Sequence, residues 1–383
     1  MTRCGRAAAR VCCAALVASM TALAACGSPH PPPAQDGAGG ETSGQPQPQL
    51  GDGGAQPPGC GRQSDGTFCG CIDVPLFADP PNVYFVLDRS LSMKENGKWD
   101  QVRLTVGRIL RDLGPRASFG ATVFPGLSAD SCGPSLEVMS VRSGDPPSST
   151  DGPTTTFLLA ATDTPPKGGT PTATAMHDVL GRLQRLPGKS FVILATDGGP
   201  NCNANITCDY ATCIPNIEGA AGCSPSGPAS CCSGPEQCLD DVATRSAVTA
   251  LQSAGFPVYV VGIPGSAFYA SLLDDLATAG GTAQAGSPKY FRVDVADDAV
   301  LLSVLRRVLA KIVATCTFPL EGAPPDPALV NVYLDGVVEP KDPVNGWTLD
   351  GGVVTLVGAA CTRVESGDVL GVRVIAGCPS VVR

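Results

Sequence analysis

From about residue 81 the chain alternates short, unbroken apolar runs with stretches of helical period, the pattern of a parallel sheet covered on both faces. Val83-Tyr84-Phe85-Val86-Leu87 and Phe191-Val192-Ile193-Leu194-Ala195 read as strands buried on both sides. Residues 119–124, 258–262 and 290–295 read as further strands, and 136–141 as a hairpin-like strand near an edge. Between them Trp99, Val102, Val106, Ile109, Leu110 and Leu113 recur at helical spacing. So do Met176, Val179, Leu180, Leu183 and Leu186, with Pro171 suited to the first turn and Thr170 to the N-cap. Helices are expected near 239–254, closed by Gly255, and near 267–279. Another carries Leu301, Val304, Leu305, Val308, Leu309 and Ile312 on one face, with Asp297 and Asp298 at its start and Lys311 at its end. Beyond Cys316 the helical period stops. Residues 330–338, with the turn pair Asp335-Gly336, then 353–357 and 369–375, read as a small β module containing a hairpin. The expected fold class is α/β: a doubly wound, mostly parallel sheet at 80–315, broken by an aperiodic insertion at 200–238, with a β module at 316–383.

The first 25 residues have a different pattern. Arg3, Arg6 and Arg10 precede an apolar run over 11–25, the layout of an export signal and too short for a membrane span. It closes on Leu23-Ala24-Ala25-Cys26-Gly27, which resembles the lipobox of bacterial lipoproteins. That resemblance implies lipidation of Cys26 as the mature N-terminus and, since Gly27 rather than Asp follows, an outer-membrane address. Residues 26–58 are Pro, Gly, Gln and Ser with Leu50 almost the sole large apolar residue, so they form a tether, and 59–79 is a short cysteine-containing lead-in.

The whole chain has 383 residues and a net charge of −9, and loss of three signal arginines takes it to −12. A nucleic-acid partner is excluded on this balance, and acyl chains rather than charge must hold the protein at a membrane. The only histidines, His30 and His177, leave no basis for a catalytic triad or a His-rich zinc site.

There are 18 cysteines. Cys4, Cys12 and Cys13 leave with the signal and Cys26 takes the lipid. The rest fall into four groups: Cys60, Cys69 and Cys71; Cys132; Cys202, Cys208, Cys213, Cys223, Cys231, Cys232 and Cys238; and Cys316, Cys361 and Cys378. An exported compartment, and spacings unlike those of zinc ribbons, favour disulfides over metal thiolates. Every group has an odd number of members, so full pairing demands bridges between groups. One is expected from Cys132 to the insertion, and one between the N-terminal and C-terminal groups.

Candidate chemistry sits where strands end. Asp88-Arg89-Ser90-Leu91-Ser92 follows the first buried strand, Gly168-Gly169-Thr170-Pro171-Thr172 opens a helix, and Asp197 ends a strand in Leu194-Ala195-Thr196-Asp197-Gly198-Gly199. Open α/β sheets place ligands at such carboxyl ends. The residues and their order resemble the von Willebrand factor type A domain, with its metal-ion-dependent adhesion site, over 80–315. The resemblance implies Mg²⁺, with Mn²⁺ or Ca²⁺ as alternatives, bound directly by Ser90 and Ser92, directly or through water by Thr170, and mainly through water by Asp88 and Asp197. Hard oxygen donors suit such ions. Neutral hydroxyls leave the ion charged enough to take a carboxylate from a protein or glycan partner, and exchange of Thr170 for an Asp would shift its affinity.

The resulting expectation is a non-enzymatic cell-envelope lipoprotein for adhesion or protein binding, with no catalytic residues. The alternatives are a Mg²⁺-dependent hydrolase using Asp88, or a structural lipoprotein with an inactive metal site. Other motifs carry less. Gly188-Lys189-Ser190 precedes a strand instead of following one, as a phosphate loop would, and so reads as a turn. His177 reads as a rim residue, and Asn205-Ile206-Thr207 as a polar loop.

Overall fold

A six-stranded sheet with helices on both faces forms the middle of the molecule. The computed structural model describes residues 80–382 except 129, 147–149, 314, 321–323, 325 and 378–379, and also three short strands, β1 (Gly61–Arg62), β2 (Phe68–Gly70) and β3 (Ile72–Val74). The expected signal, Cys26 and the tether lie outside the described residues.

The central strands are β4 (Asn82–Asp88), β5 (Ser118–Phe124), β6 (Leu136–Ser143), β7 (Ser190–Thr196), β8 (Val258–Gly262) and β9 (Phe291–Arg292). Their order is β6-β5-β4-β7-β8-β9, parallel throughout except for the antiparallel edge strand β6. The unbroken apolar runs follow from this architecture. Along β4, Val83, Phe85 and Leu87 enter the core on one face, while Tyr84 and Val86 enter the core on the other. The helices are α1 (Lys98–Leu113), α2 (Pro153–Ala161), α3 (Thr172–Leu183), the single turn α4 (Ile214–Ile217), α5 (Asp241–Ser253), α6 (Ala270–Ala279) and α7 (Asp298–Val313). The first core takes its helical side chains from α1, α2 and α7, and the second from α3, α5 and α6.

Several elements depart from the sequence expectations. Helix α2 has no amphipathic signal in its Thr-rich sequence. Its start is held from a distance: the buried Asp145 carboxylate accepts the backbone N–H groups of Thr154 and Thr155 at 2.7 and 2.8 Å. Strand β9 is two residues long because only Phe291 and Arg292 find partners on β8. Thr170 does not cap α3. Pro171 occupies the N-cap and makes no side-chain capping bond.

The insertion lacks a core of its own, and cross-links replace one. Cys208–Cys238, Cys213–Cys232 and Cys223–Cys231 close it internally, and Cys132–Cys202 ties it to the loop after β5, as expected from the odd-numbered groups. The buried Asn216 side chain adds three bonds, donating to the carbonyls of Ser224 and Ala229 and accepting from the Cys231 N–H.

The C-terminal module comprises β10 (Thr317–Pro319), β11 (Val330–Leu334), β12 (Val337–Glu339), β13 (Trp347–Asp350), β14 (Val353–Leu356), α8 (Ala359–Ser366) and β15 (Val372–Ala376). The expected hairpin is present, with Asp335 and Gly336 both at positive φ between β11 and β12. Two antiparallel sheets form, β10-β14-β13 and β12-β11-β15-β3, so the lead-in supplies an edge strand. The expectation that helical structure ends at Cys316 is corrected by α8. This helix starts after Gly358 and stops at Gly367, both at positive φ, and buries only Ala360 and Val364. Cys361 on α8 bonds Cys316. Arg306 of α7 donates to Asp112 at 2.5 Å and lies 3.9 Å from Asp335, while Leu370 enters the core beneath α1 and α7. Asp112 lies in the last turn of α1, so the module packs at the amino ends of the parallel strands.

Candidate metal centre

The chain leaves β4 towards β5 on one side, and β7 pairs on the other. The carboxyl ends of β4 and β7 therefore bound the point where strand order reverses, and a crevice opens there. Asp88 ends β4 and Asp197 follows β7. Parallel register sets Leu87 beside Ala195, which brings the next residues together: Thr196 donates its hydroxyl to Asp88 Oδ2 at 2.5 Å.

From Asp88 an unbroken chain of polar atoms runs across the crevice. Asp88 Oδ1 accepts the Ser90 N–H at 2.8 Å, Ser90 Oγ lies 3.1 Å from Ser92 Oγ, and Ser92 Oγ donates to Asp197 Oδ1 at 2.8 Å. The other oxygen of Asp197, Oδ2, accepts from the ammonium of Lys98. Asp88 is fully buried and Asp197 nearly so. Burial first, and then the neighbouring Asp197 charge, push the Asp88 carboxyl up to about 7 against bonds from Thr196 and Ser90 that favour its ionised form.

Thr170 reaches the same place by another route. Its N–H donates to Asn201 Oδ1 at 2.7 Å and its carbonyl accepts the Asn201 N–H at 2.9 Å, which ties its loop to the one after Asp197. On the other side the Gly168 carbonyl accepts the Leu91 N–H at 3.0 Å, and the Lys167 N–H donates to the Arg89 carbonyl at 2.9 Å. Three loops distant in sequence are thus laced by backbone bonds at one sheet edge. The structure links Asp88, Ser90, Ser92 and Asp197 directly, and it holds Thr170 beside them through main-chain contacts. No hydrogen bond among the described residues joins the Thr170 hydroxyl to the other four side chains.

The strand order, with β6 antiparallel at one edge, and three oxygen-bearing loops in this sequence order decide the fold. This is a von Willebrand factor type A fold. No protein-family model matches the chain, and no curated protein matches it. Among solved structures it is similar to the von Willebrand factor domain of the type V pili tip protein Mfa5 from Porphyromonas gingivalis, at 14% identity and TM-score 0.42, over 62% of this chain and 96% of that one. It is also similar to the pilus adhesin SpaC from Lactobacillus rhamnosus GG, at 15% identity and TM-score 0.45, over 79% of this chain but only 39% of that one. A von Willebrand factor type A protein from Catenulispora acidiphila aligns at 13% identity and TM-score 0.42, over 83% of this chain and 67% of that one. These likenesses concern the fold alone, and the type A assignment stands on the strand order and loop placement described above.

The geometry of the type A crevice fits a small hard cation. Mg²⁺ holds oxygens at about 2.0–2.1 Å in an octahedron, whose adjacent vertices are then about 2.9 Å apart. The hydroxyl pair Ser90–Ser92, at 3.1 Å, is close to that spacing, and Asp197 Oδ1, 2.8 Å from Ser92 Oγ, is placed to accept from a water or hydroxyl on the ion.

Residues other than the five oxygen donors position these oxygens. The buried Arg89 guanidinium donates to the carbonyls of Pro165, Pro125 and Gly126 at 2.5, 3.0 and 2.7 Å, joining the loop before Thr170 to the loop after β5. Thr196, Asn201 and Lys98 were not singled out from the sequence. A signal for Lys98 existed: a cation in the first turn of a helix opposes the macrodipole, so its place at the start of α1 calls for a compensating anion. His177 is exposed, and Gly188 at positive φ makes the turn before β7, as expected.

Proposed function

We propose that the protein is an exported, lipid-anchored binding protein of the cell envelope, with the outer membrane as its address. It grips an acidic group on a protein or glycan partner through Mg²⁺ in this crevice. The observation that carries the reading is the continuous run of polar atoms from Asp88 through Ser90 and Ser92 to Asp197 at the point of strand reversal. Ser90, Ser92 and Thr170 would hold the ion, and Asp88 and Asp197 would supply charge beneath it. When bound, the ion offers a Lewis-acidic position to a carboxylate.

The layout supports this role. The module packs at the amino ends of the strands, opposite the crevice, so a partner reaches the crevice unobstructed by it. The insertion starts directly after the Asp197 loop and stands beside the opening, where its cross-links limit the entropy lost on binding. No helix among the described residues is long and apolar enough to cross a membrane, so membrane attachment in this proposal rests on the lipid at Cys26. A hydrolase reading finds less support, because both oxygens of the buried Asp88 are engaged, by Ser90 and Thr196, and neither faces a substrate.

Calorimetry and thermal melts with Mg²⁺ on the mature chain test the proposal. Mg²⁺ at about a hundred times its Kd should stabilise the protein by about 2.7 kcal/mol, and Ser90→Ala should abolish that gain. Absence of Mg²⁺-dependent heat or stabilisation in the parent protein would leave only a structural role. Turnover of any ester or phosphate substrate that is lost in Asp88→Ala would favour the hydrolase.

A further inference from the structure

Lys98 stands apart from the residues that the type A site requires. It opens α1, where the positive end of the helix dipole makes a cation unwelcome, and its side chain is 5% exposed. Its ammonium bonds Asp197 Oδ2, while Asp197 Oδ1 accepts from Ser92 on the crevice side. One carboxylate thus serves two clients, a lysine behind it and the oxygen cluster in front. Gly265, held at φ +111, lets the backbone pass close behind Asp197, where a Cβ would crowd the Asp197 carbonyl oxygen at 3.3 Å and touch Nζ at 3.6 Å. The other acid near Nζ, Glu95 at 3.6 Å, is 72% exposed, so water screens it and it offsets little of the charge.

Charge counting gives the arrangement its meaning. In their ionised forms Asp88 and Asp197 bring two negative charges into the buried site, and Lys98 cancels one of them. A dication entering the crevice then leaves the centre with one positive charge in excess, whereas without Lys98 the centre would be neutral. At low dielectric an uncompensated charge is costly until an anion arrives.

We propose that Lys98 sets the charge of the centre: held on Asp197, its ammonium lowers the affinity for bare Mg²⁺ and so leaves the bound ion in need of an anionic ligand. The inference rests on the metal reading above and adds to it. Partner capture becomes the step that completes the charge balance, so ion and acidic ligand each tighten the other's binding. A purely positioning role for Lys98 makes the opposite demand. If the lysine only oriented Asp197 for the ion, its removal would weaken Mg²⁺ binding.

The test is Mg²⁺ calorimetry on the mature chain, using the metal alone, for the parent, Lys98→Met and Lys98→Arg. Lys98→Met, which keeps length and loses charge, should bind Mg²⁺ at least tenfold more tightly, while Lys98→Arg should stay near the parent. Equal or weaker binding by Lys98→Met would overturn the inference and leave the metal centre standing. Should Lys98→Met fail to fold without the ion, recovery of its cooperative melt on Mg²⁺ addition supports the proposal, because the ion then replaces the missing charge. Failure to fold at any Mg²⁺ concentration overturns it. Absence of Mg²⁺ binding by the parent and both variants would sink the metal centre, and this inference with it.

Discussion

The Thr170 hydroxyl makes no bond to the neighbouring oxygens, although the residue is buried. Its absence should therefore cost the ion-free protein little. We expect Thr170→Val to leave the melting temperature in chelator unchanged while weakening Mg²⁺ binding about tenfold by calorimetry, the loss of one charge-assisted contact of about 1.4 kcal/mol. Asp145 should behave in the opposite way. Partial burial would raise its pKa, but the bonds from the N–H groups of Thr155 and Thr154 outweigh that and hold it below the usual carboxylate range. A lowered folded pKa stabilises the protein above the unfolded value of 3.8, and that contribution is lost as pH falls through the folded pKa. Asp145→Ala should therefore cost about 1 kcal/mol at neutral pH in denaturant melts, with the gap to the parent closing in acid. The motif oxygens could be read along the chain because Asp88, Ser90, Ser92 and Asp197 follow apolar strands at short offsets and Thr170 stands where a helix opens. The partners of Lys98, Thr196 and Asn201 could not, because they lie 99, 108 and 31 residues away, although the place of Lys98 at the start of a helix already called for an anion.

At the scale of elements, the loop bearing Thr170 is held by a covalent clasp. Cys132 and Cys202 bridge the loop after β5 to the loop after β7, and Gly169 passes so close that a Cβ there would meet Cys202 Sγ at 2.6 Å. The Gly169 N–H also donates to the Ser131 carbonyl at 2.8 Å. Replacing Cys132 and Cys202 together by Ser should raise amide exchange over 167–171 and lower Mg²⁺ affinity, while exchange in β4 and β7 stays slow. Unchanged exchange in that loop would show the backbone bonds alone to be sufficient. The elements foreseen from periodicity are those with a wide buried stripe, such as α1 and α7. Two helices it missed, α2 and α8, are short, and external groups hold them: the Asp145 carboxylate for the first and the disulfide to Cys316 for the second. Periodicity reports burial of a face, and a helix fixed at its end or by a cross-link gives little of that signal.

At the scale of the molecule, charge and apolar contact join the two folded parts. Burial pushes the Arg116 guanidinium, just before β5, down to about 10, partly offset by Asp335 of the module. Among the described residues ten cysteines are paired; of the fourteen expected besides the signal and Cys26, the others are Cys60, Cys69, Cys71 and Cys378, whose sulfurs lie outside the described residues. Non-reducing peptide mapping should find Cys378 bonded to one of the other three; a free Cys378 thiol would refute the expected link between chain ends. Strand β3 already pairs with β15, with Ile72 opposite Ala376. By itself the sequence determined the class of the fold, the strands that end at the site, the odd-numbered cysteine groups and the five motif oxygens, because burial period, turn chemistry and parity are local or countable properties. Only the tertiary structure decided which loops lace together around Thr170, which cation pairs with Asp197, and that the lead-in completes the C-terminal sheet. Each of these depends on contacts between residues far apart in the chain, and no local pattern records which distant partner a backbone edge or a buried charge will find.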